Sequence, residues 1–457
     1  MPEQQSLLRR LGLVSATALV VSNMIGTGIF TTTGFLAGDL GSASLVLLAW
    51  VVGAVCALLG AVSYSELALN LPSSGGEYLY LSRAYGPTWG FITGWVSLLA
   101  GFSAPIAATA LAFAGYLAFF FPSWQHPEFG NSSTFRLGPQ QLIACILVAA
   151  FSAWNSFGIT ASARLQNVLT SMKVVLLTIF IVSGFAFGHG DWGNFSHSAV
   201  RLTAAPIWQE FAVSLFWIYV SYSGWNAAAY VAEEIEKPER TLPRALAIGT
   251  GLVAVLYFSL NLIFIYATRL ESMKGVVAIG ALAASRLFGP QIAGAFSALM
   301  AFSLLSTVNA MTIAGPRVYY AMARDGQFFS SAAKVHARWH TPVNSIVIQA
   351  ICTMLLVLTP FPQLVVYIGF TLNLFAVMSV ASLFVFRRRP GWRTLPIVSF
   401  AYPTIPLLFI TVGVWMIIEG LLLRPIISLL TVLTLVTGAL LHRFSVSSCT
   451  PQVNSLR

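Results

Sequence analysis

Two short polar interruptions, Gly26-Thr27-Gly28 and Ser221-Tyr222-Ser223-Gly224, each break an otherwise apolar run, and the chemistry they offer is that of bare backbone. A helix ending near Met24-Ile25 leaves carbonyls without intrahelical partners, and a helix restarting after Gly28 leaves amides without them. The amides, with the positive end of a half-helix dipole, suit a carboxylate. The carbonyls suit an ammonium group. A zwitterion therefore matches the two half-helix ends, and the Thr27 hydroxyl adds a donor for its carboxylate. Close helix packing is the other use that lipid-embedded chains make of residues such as Gly26 and Gly28. Irregular backbone at membrane depth persists only where protein buries it or where it lines a cavity. A cation sits in a similar setting: Lys173 lies about ten residues into its apolar run, roughly 15 Å deep at 1.5 Å per residue, too deep for its stem to snorkel comfortably. No charged group is read beside either break.

The elements that carry these residues follow from composition. The chain has 457 residues, 57% hydrophobic and 8% charged, whereas about a quarter of a soluble domain is charged. This is the composition of an all-α polytopic membrane protein. Apolar runs long enough for about 30 Å of hydrocarbon predict twelve spans, near 13–38, 44–69, 88–121, 139–158, 163–187, 208–231, 243–268, 290–315, 343–360, 363–386, 403–422 and 425–442. The polar start with Arg9 and Arg10 runs into the first span with no small-residue cleavage site, so that span is expected to remain. Of 24 basic residues, 17 fall on the side of the two termini and 6 on the other, with Lys173 inside a span. The positive-inside rule then predicts a multi-pass protein of the cell membrane with both termini cytoplasmic. Anionic lipid accounts for the net charge of +10, and no nucleic-acid partner is needed. Cys56, Cys145, Cys352 and Cys449 have neither metal-ligand spacing nor the pattern of a disulfide framework.

Each interrupted span opens a set of five. Residues 13–187 and 208–386 are thus candidate repeats, and because five is odd the second enters the membrane from the opposite side, giving an inverted pair with broken helices 1 and 6. The spans within 403–442 lie outside this core, and 1–12 and 443–457 are cytoplasmic ends.

Several long motifs then carry a resemblance: Asn-Met-Ile-Gly-Thr-Gly-Ile-Phe at 23–30, Pro-Ser-Ser-Gly-Gly-Glu-Tyr-Leu-Tyr at 72–80, Gly-Trp-Asn at 224–226 with Glu-Glu-Ile-Glu-Lys-Pro-Glu-Arg-Thr-Leu-Pro-Arg-Ala at 233–245, and Ala-Arg-Asp-Gly at 323–326 with Thr-Pro at 341–342. Over roughly residues 10 to 445 the chain resembles the amino acid-polyamine-organocation superfamily, in particular the L-type amino acid transporters and their bacterial relatives. The resemblance implies a twelve-helix amino acid exchanger or proton-coupled symporter. It places substrate on Met24, Ile25, Gly26, Thr27 and Gly28 and on Val220, Ser221, Ser223 and Gly224.

By the same resemblance the Lys173 amine stands where sodium-coupled relatives bind sodium, next to the first break and a helix-eight hydroxyl, matched here by Thr307. It would serve as a fixed cation, or titrate if transport is proton-coupled. Val220 stands where relatives often carry an aromatic gate; Tyr219, Tyr222 and Trp225 are the candidates to replace it. Ser223 replaces a glycine of some relatives. Gly75-Gly76-Glu77-Tyr78 resembles the re-entrant loop that gates the cytoplasmic side. Eukaryotic members bind a heavy subunit through a cysteine between helices three and four. Pro122 to Gly138 contains none, which implies no disulfide-linked heavy subunit.

Other function classes fit poorly. An embedded enzyme needs a nucleophile with a base, or a carboxylate cluster, within the spans, and a channel needs a charged ring or filter repeat. No cofactor or metal site is expected, and a polyamine permease would need carboxylates near the breaks. Glu66, near the inner end of span two and within reach of water, reads as structural. Glu233, Glu234, Glu236 and Glu239 interleave with Lys237, Arg240 and Arg244 in the loop after span six and read as salt bridges tying that loop to neighbouring helices, and Arg387-Arg388-Arg389 reads as a topological anchor. The expected cargo is a small neutral L-amino acid.

Overall fold

A computed structural model describes residues 9–72, 75–118, 120–121, 138–276, 279–289, 292–358 and 361–446. The regular elements among these residues are helices, and the one extended pairing among them is an isolated bridge between Leu11 and Ile235. The first apolar run is two helices, α1 (Leu13–Met24) and α2 (Gly28–Leu40), and α3 (Ala43–Asn70) follows as a single long helix. A short helix α4 (Glu77–Tyr85) leads into α5 (Pro87–Val96), a widened turn at Ser97–Ser103, and α6 (Ala104–Leu117). Pro105 explains that widening: it has no N–H for the carbonyl four residues back, and its ring crowds that carbonyl, so the helix passes through π-type turns before recovering.

Next come α7 (Pro139–Ser156) and α8 (Ile159–Phe187). The second interrupted run is α9 (Ile207–Tyr222) followed by 3₁₀ turns at Ala227–Glu234, and α10 (Pro238–Ala267) returns across the bundle. Two short helices, α11 (Leu270–Met273) and α12 (Ile279–Phe288), occupy what reads as a loop in the sequence. The rest is α13 (Ala293–Arg324), α14 (Val343–Leu356), α15 (Phe361–Phe386), the short α16 (Pro396–Ser399), α17 (Thr404–Leu423) and α18 (Pro425–Val446).

By length and composition, eight of the described helical stretches can cross a membrane, with α12, α14 and part of α18 as shorter apolar helices. Large apolar side chains stand outward on the outer helices, among them Val182, Leu355, Leu422 and Ile426. A water-soluble protein would not leave so many uncovered in rows, whereas lipid solvates them at no cost. The centre of the bundle is where the two breaks meet: α1 packs on α8 and α10, and α2 on α9.

The charged residues named above are deeper than their sequence positions suggest. Glu66 is 2% exposed and does not reach water; it accepts a bidentate pair from Arg387 at 2.7 and 2.6 Å and the Trp392 indole at 2.9 Å. Arg387 is thus a partner in a buried ion pair as well as a basic flank. Glu233 pairs with Arg324 and Glu239 with Arg393, as expected of that loop. Residues 1–8 and 447–457, Cys449 included, and the cysteine-free loop from Pro122 to residue 137 lie outside the described residues.

Candidate functional site

At the first break the chain stops being helical at Ile25, where the Gly26 N–H turns back to the Met24 carbonyl at 2.9 Å. Helix α2 begins with Thr27 at its cap position and no side-chain cap. Among the described residues the amides of Thr27, Gly28 and Ile29 have no backbone acceptor, so this helix start offers its donors as the sequence predicts.

The freed Ile25 carbonyl takes two side-chain donors. Lys173 Nζ donates to it at 2.7 Å and to Thr307 Oγ1 at 2.9 Å, while Thr307 Oγ1 donates to the same carbonyl at 2.6 Å. Both side chains have no exposed surface. The lysine, hydroxyl and broken helix meet as anticipated, but α8 starts at Ile159, so Lys173 lies roughly 21 Å along the helix, farther from its start than the span limits indicated.

The two breaks touch. A Cβ on Gly28 would fall 2.6 Å from Ser221 Oγ and 2.8 Å from Ser221 Cα, so only glycine allows this approach. Gly224 has φ +107 and lies as close to Asn23, where a Cβ would come within 2.6 Å of the Asn23 Cβ; here conformation and contact both demand glycine. Ser221 Oγ pairs with Thr32 Oγ1 at 2.8 Å and donates to the Trp217 carbonyl at 2.9 Å, which turns it toward α2.

A residue absent from the sequence reading ties the breaks together: Tyr257 on α10 shares its hydroxyl proton between the Met24 carbonyl at 2.6 Å and the Ser221 carbonyl at 3.0 Å. No motif flags it, because nothing in an apolar run shows which tyrosine faces two freed carbonyls. Tyr257→Phe should lower the rate of transport roughly tenfold with little loss of folded protein, since about 1 to 1.5 kcal/mol of hydrogen bonding is removed at one end of each break. Initial-rate uptake normalised to inserted protein measures it.

Beside the second break lies a small cavity of about 30 Å³, walled by Asn23, Ser223, Gly224 and Asn226 from the breaks, by Gly101 and Phe102 from the π-type turn, and by Met311 of α13. Of the gate candidates, Tyr219 and Trp225 line it. Trp225 packs edge-on to Tyr64 at 4.7 Å between ring centroids, and Tyr219 donates to the Leu372 carbonyl at 3.3 Å. Tyr222 faces away: its ring packs at a tilt against Trp50 and Tyr257, and its hydroxyl donates to the Trp50 carbonyl. Val220 packs toward Gly369 of α15. Gly26, Thr27 and Gly28 are not in the wall of this cavity, whose nearest first-break residue is Asn23.

One wall residue corrects the sequence reading. Glu77 lines the cavity, 5% exposed, with Oε1 3.1 Å from Asn226 Nδ2. A carboxyl group does stand beside the second break, because the glycine pair at 75–76 folds the start of α4 inward against Tyr230. The Gly-Gly-Glu motif carried this signal as a gate, without its depth. No group of three potential metal ligands occurs among the described residues.

With this geometry in place, comparison with known proteins gives one answer. The amino acid permease family pattern matches residues 11–440. The chain is 30% identical over 95% of its length to the large neutral amino acids transporter small subunit 2 of Mus musculus, covering 80% of that protein. It is 27% identical to the b(0,+)-type amino acid transporter 1 of Homo sapiens, over 97% of this chain and 89% of that one, and 27% identical to the Asc-type amino acid transporter 1 of Mus musculus, over 95% and 81%. The word "subunit" in the first of these names counts against the expectation of a transporter without a heavy partner. A pattern that spans nearly the whole chain, on a helical frame with two freed-backbone breaks at its centre, makes the protein a multi-pass membrane transporter that belongs to the amino acid permease family.

Proposed function

We propose that this transporter moves small neutral L-amino acids by alternating access, as an exchanger or a proton symporter, with the substrate zwitterion held between the two breaks. The observation that carries the reading is the contact of Gly28 with Ser221 and of Gly224 with Asn23, which sets the two breaks against each other beside a cavity lined by Asn23 and by the second break. Substrate carboxylate belongs on the amides after Thr27, and its ammonium group on carbonyls of the two breaks. Met24, Ile25, Gly26, Thr27, Gly28, Ser223 and Gly224 serve as the binding backbone, Ser221 supports them from behind, and Lys173 with Thr307 holds the first break in place. Tyr219 and Trp225 act as the aromatic cover, in place of Tyr222 or Val220.

The helices read as twelve spans, with the first five and next five related by an inverted pseudo-two-fold axis, and α17 and α18 outside this core. Both termini face the cytoplasm of a cell membrane in this reading, which the basic residues support. Any covalent link to a partner would have to avoid the loop from Pro122 to Gly138, which has no cysteine.

Size selection follows from Ser223. Its side chain takes room in a cavity of only about 30 Å³, so alanine, serine and threonine should compete for uptake into proteoliposomes far better than leucine or phenylalanine. Ser223→Gly should narrow that difference. Equal competition by phenylalanine in the unmodified protein would contradict the size argument. A second reading, transport of organic cations such as polyamines, gains one observation from Glu77; strong competition by putrescine or arginine would favour it.

A further inference from the structure

Three elements converge on the single acidic group of the cavity wall. Glu77 is the first residue of α4, between the membrane spans α3 and α5. Its Oε1 accepts from the Tyr64 hydroxyl of α3 at 2.6 Å and from Asn226 Nδ2 of the second break at 3.1 Å. Asn226 donates as well to the Tyr230 hydroxyl at 3.2 Å. The re-entrant loop, α3 and the second break are therefore fastened at one oxygen atom. We propose that Glu77 is a proton-exchanging positioning residue of the transport cycle: ionised, it clamps Asn226 and the second break to the re-entrant loop, and protonated, it releases that clamp so that the inner side of the cavity can open.

The chemistry supports both states. An ionised carboxylate holds its donors through charge-assisted bonds about twice as strong as neutral ones, so adding a proton weakens the Tyr64 and Asn226 bonds without removing either partner. The proton comes from water: the cavity volume of about 30 Å³ exceeds the ~10–15 Å³ that one water needs. The ionisable groups that face Glu77 are Tyr64 on α3, Tyr80 on α4, Tyr219 on α9 and Tyr230 in the 3₁₀ turns. No lysine, arginine or second carboxylate among the described residues acts on it. Burial is the larger influence and favours the neutral acid, the Tyr64 and Asn226 bonds oppose it, and the carboxyl is pushed up to about 7. It is thus ionised above neutral pH and protonated below it.

The test rests on the transport reading above. Exchange of labelled serine is measured in proteoliposomes at saturating substrate, with the same pH on both sides, from about 5.5 to 8.5. The maximal rate of the unmodified protein should fall several-fold as pH rises through about 7, with a smaller change in KM. Glu77→Gln should stay at the fast, low-pH rate across the range. Tyr64→Phe removes a donor that favours the ionised form, so its midpoint should move up, by roughly one pH unit. A flat profile for the unmodified protein, an unchanged titration in Glu77→Gln, or an unmoved or lowered midpoint in Tyr64→Phe would overturn the proposal. If Glu77→Gln does not insert, the unmodified profile and Tyr64→Phe still decide. Absence of amino acid exchange at every pH, together with absence of uptake under an imposed pH gradient, would overturn the transport reading and this proposal with it. Exchange with an unaltered profile overturns only the role of Glu77.

Discussion

Lys173→Ala should cut transport on the order of a hundredfold while leaving the protein folded and inserted. The amine makes two hydrogen bonds, to the Ile25 carbonyl and to Thr307 Oγ1, and bonds to a charged group contribute about 1.5 to 3 kcal/mol each. Thr307 keeps its own bond to Ile25, so the net loss is about 3 kcal/mol, or two decades of rate if it falls on the state that carries substrate. The fold itself is spared for a separate reason: burying an ammonium group is costly, and its removal relieves that cost. Lys173→Met, which keeps the length and apolar stem, should be as inactive as the alanine variant, which separates lost charge from lost packing. Thr307→Ala should be milder, about tenfold, because the lysine can hold Ile25 alone. Uptake per inserted molecule in proteoliposomes checks the series. Near normal uptake by well-expressed Lys173→Ala would refute the fixed-cation role.

Much of the helical frame could be read from the chain because lipid imposes one simple pattern, long apolar runs with basic flanks, and the observed helices follow the expected spans to within a few residues at most ends. The breaks were legible for the same reason: polar and glycine residues stand out in an apolar run. What the pattern misses is rotation and folding back. Whether Tyr222 or Tyr219 faces the cavity depends on a few tens of degrees of helix rotation beside a break, where the period of 3.6 no longer applies. Glu77 reads as part of the re-entrant gate, but a short segment that is polar at its start gives no depth; only the inward turn of the glycine pair carries it to the cavity. Glu66 was misplaced in depth for a similar reason, since its water is excluded by Arg387 and Trp392 from a segment more than three hundred residues away.

The largest loss of stability should come from the end of the bundle where the chain enters the first interrupted run and leaves the second. Glu234 accepts from Arg317 Nε at 2.7 Å and from Nη2 at 3.2 Å, and the two side chains are 0% and 1% exposed. The same residue's carbonyl accepts the amides of Arg10 and Leu11, both at 2.9 Å, and the Glu236 amide returns to the Leu11 carbonyl. One residue thus joins α13, the 3₁₀ turns and the segment that leads into α1. Removing one partner of such a pair strands the other's charge in a dry site, at a cost of about 3 to 5 kcal/mol. Arg317→Ala adds a cavity, because the arginine is among the largest fully buried side chains. Arg317→Met and Glu234→Gln alone should each lower the melting temperature in detergent by many degrees and reduce the inserted yield. The double variant should recover much of that loss, because no charge is then left unpaired and the volume is nearly kept. Size-exclusion profiles after graded heating report both quantities. Additive losses in the double variant would mean that each side chain acts through packing alone, and the ion pair would then not be the link between α13 and the second break.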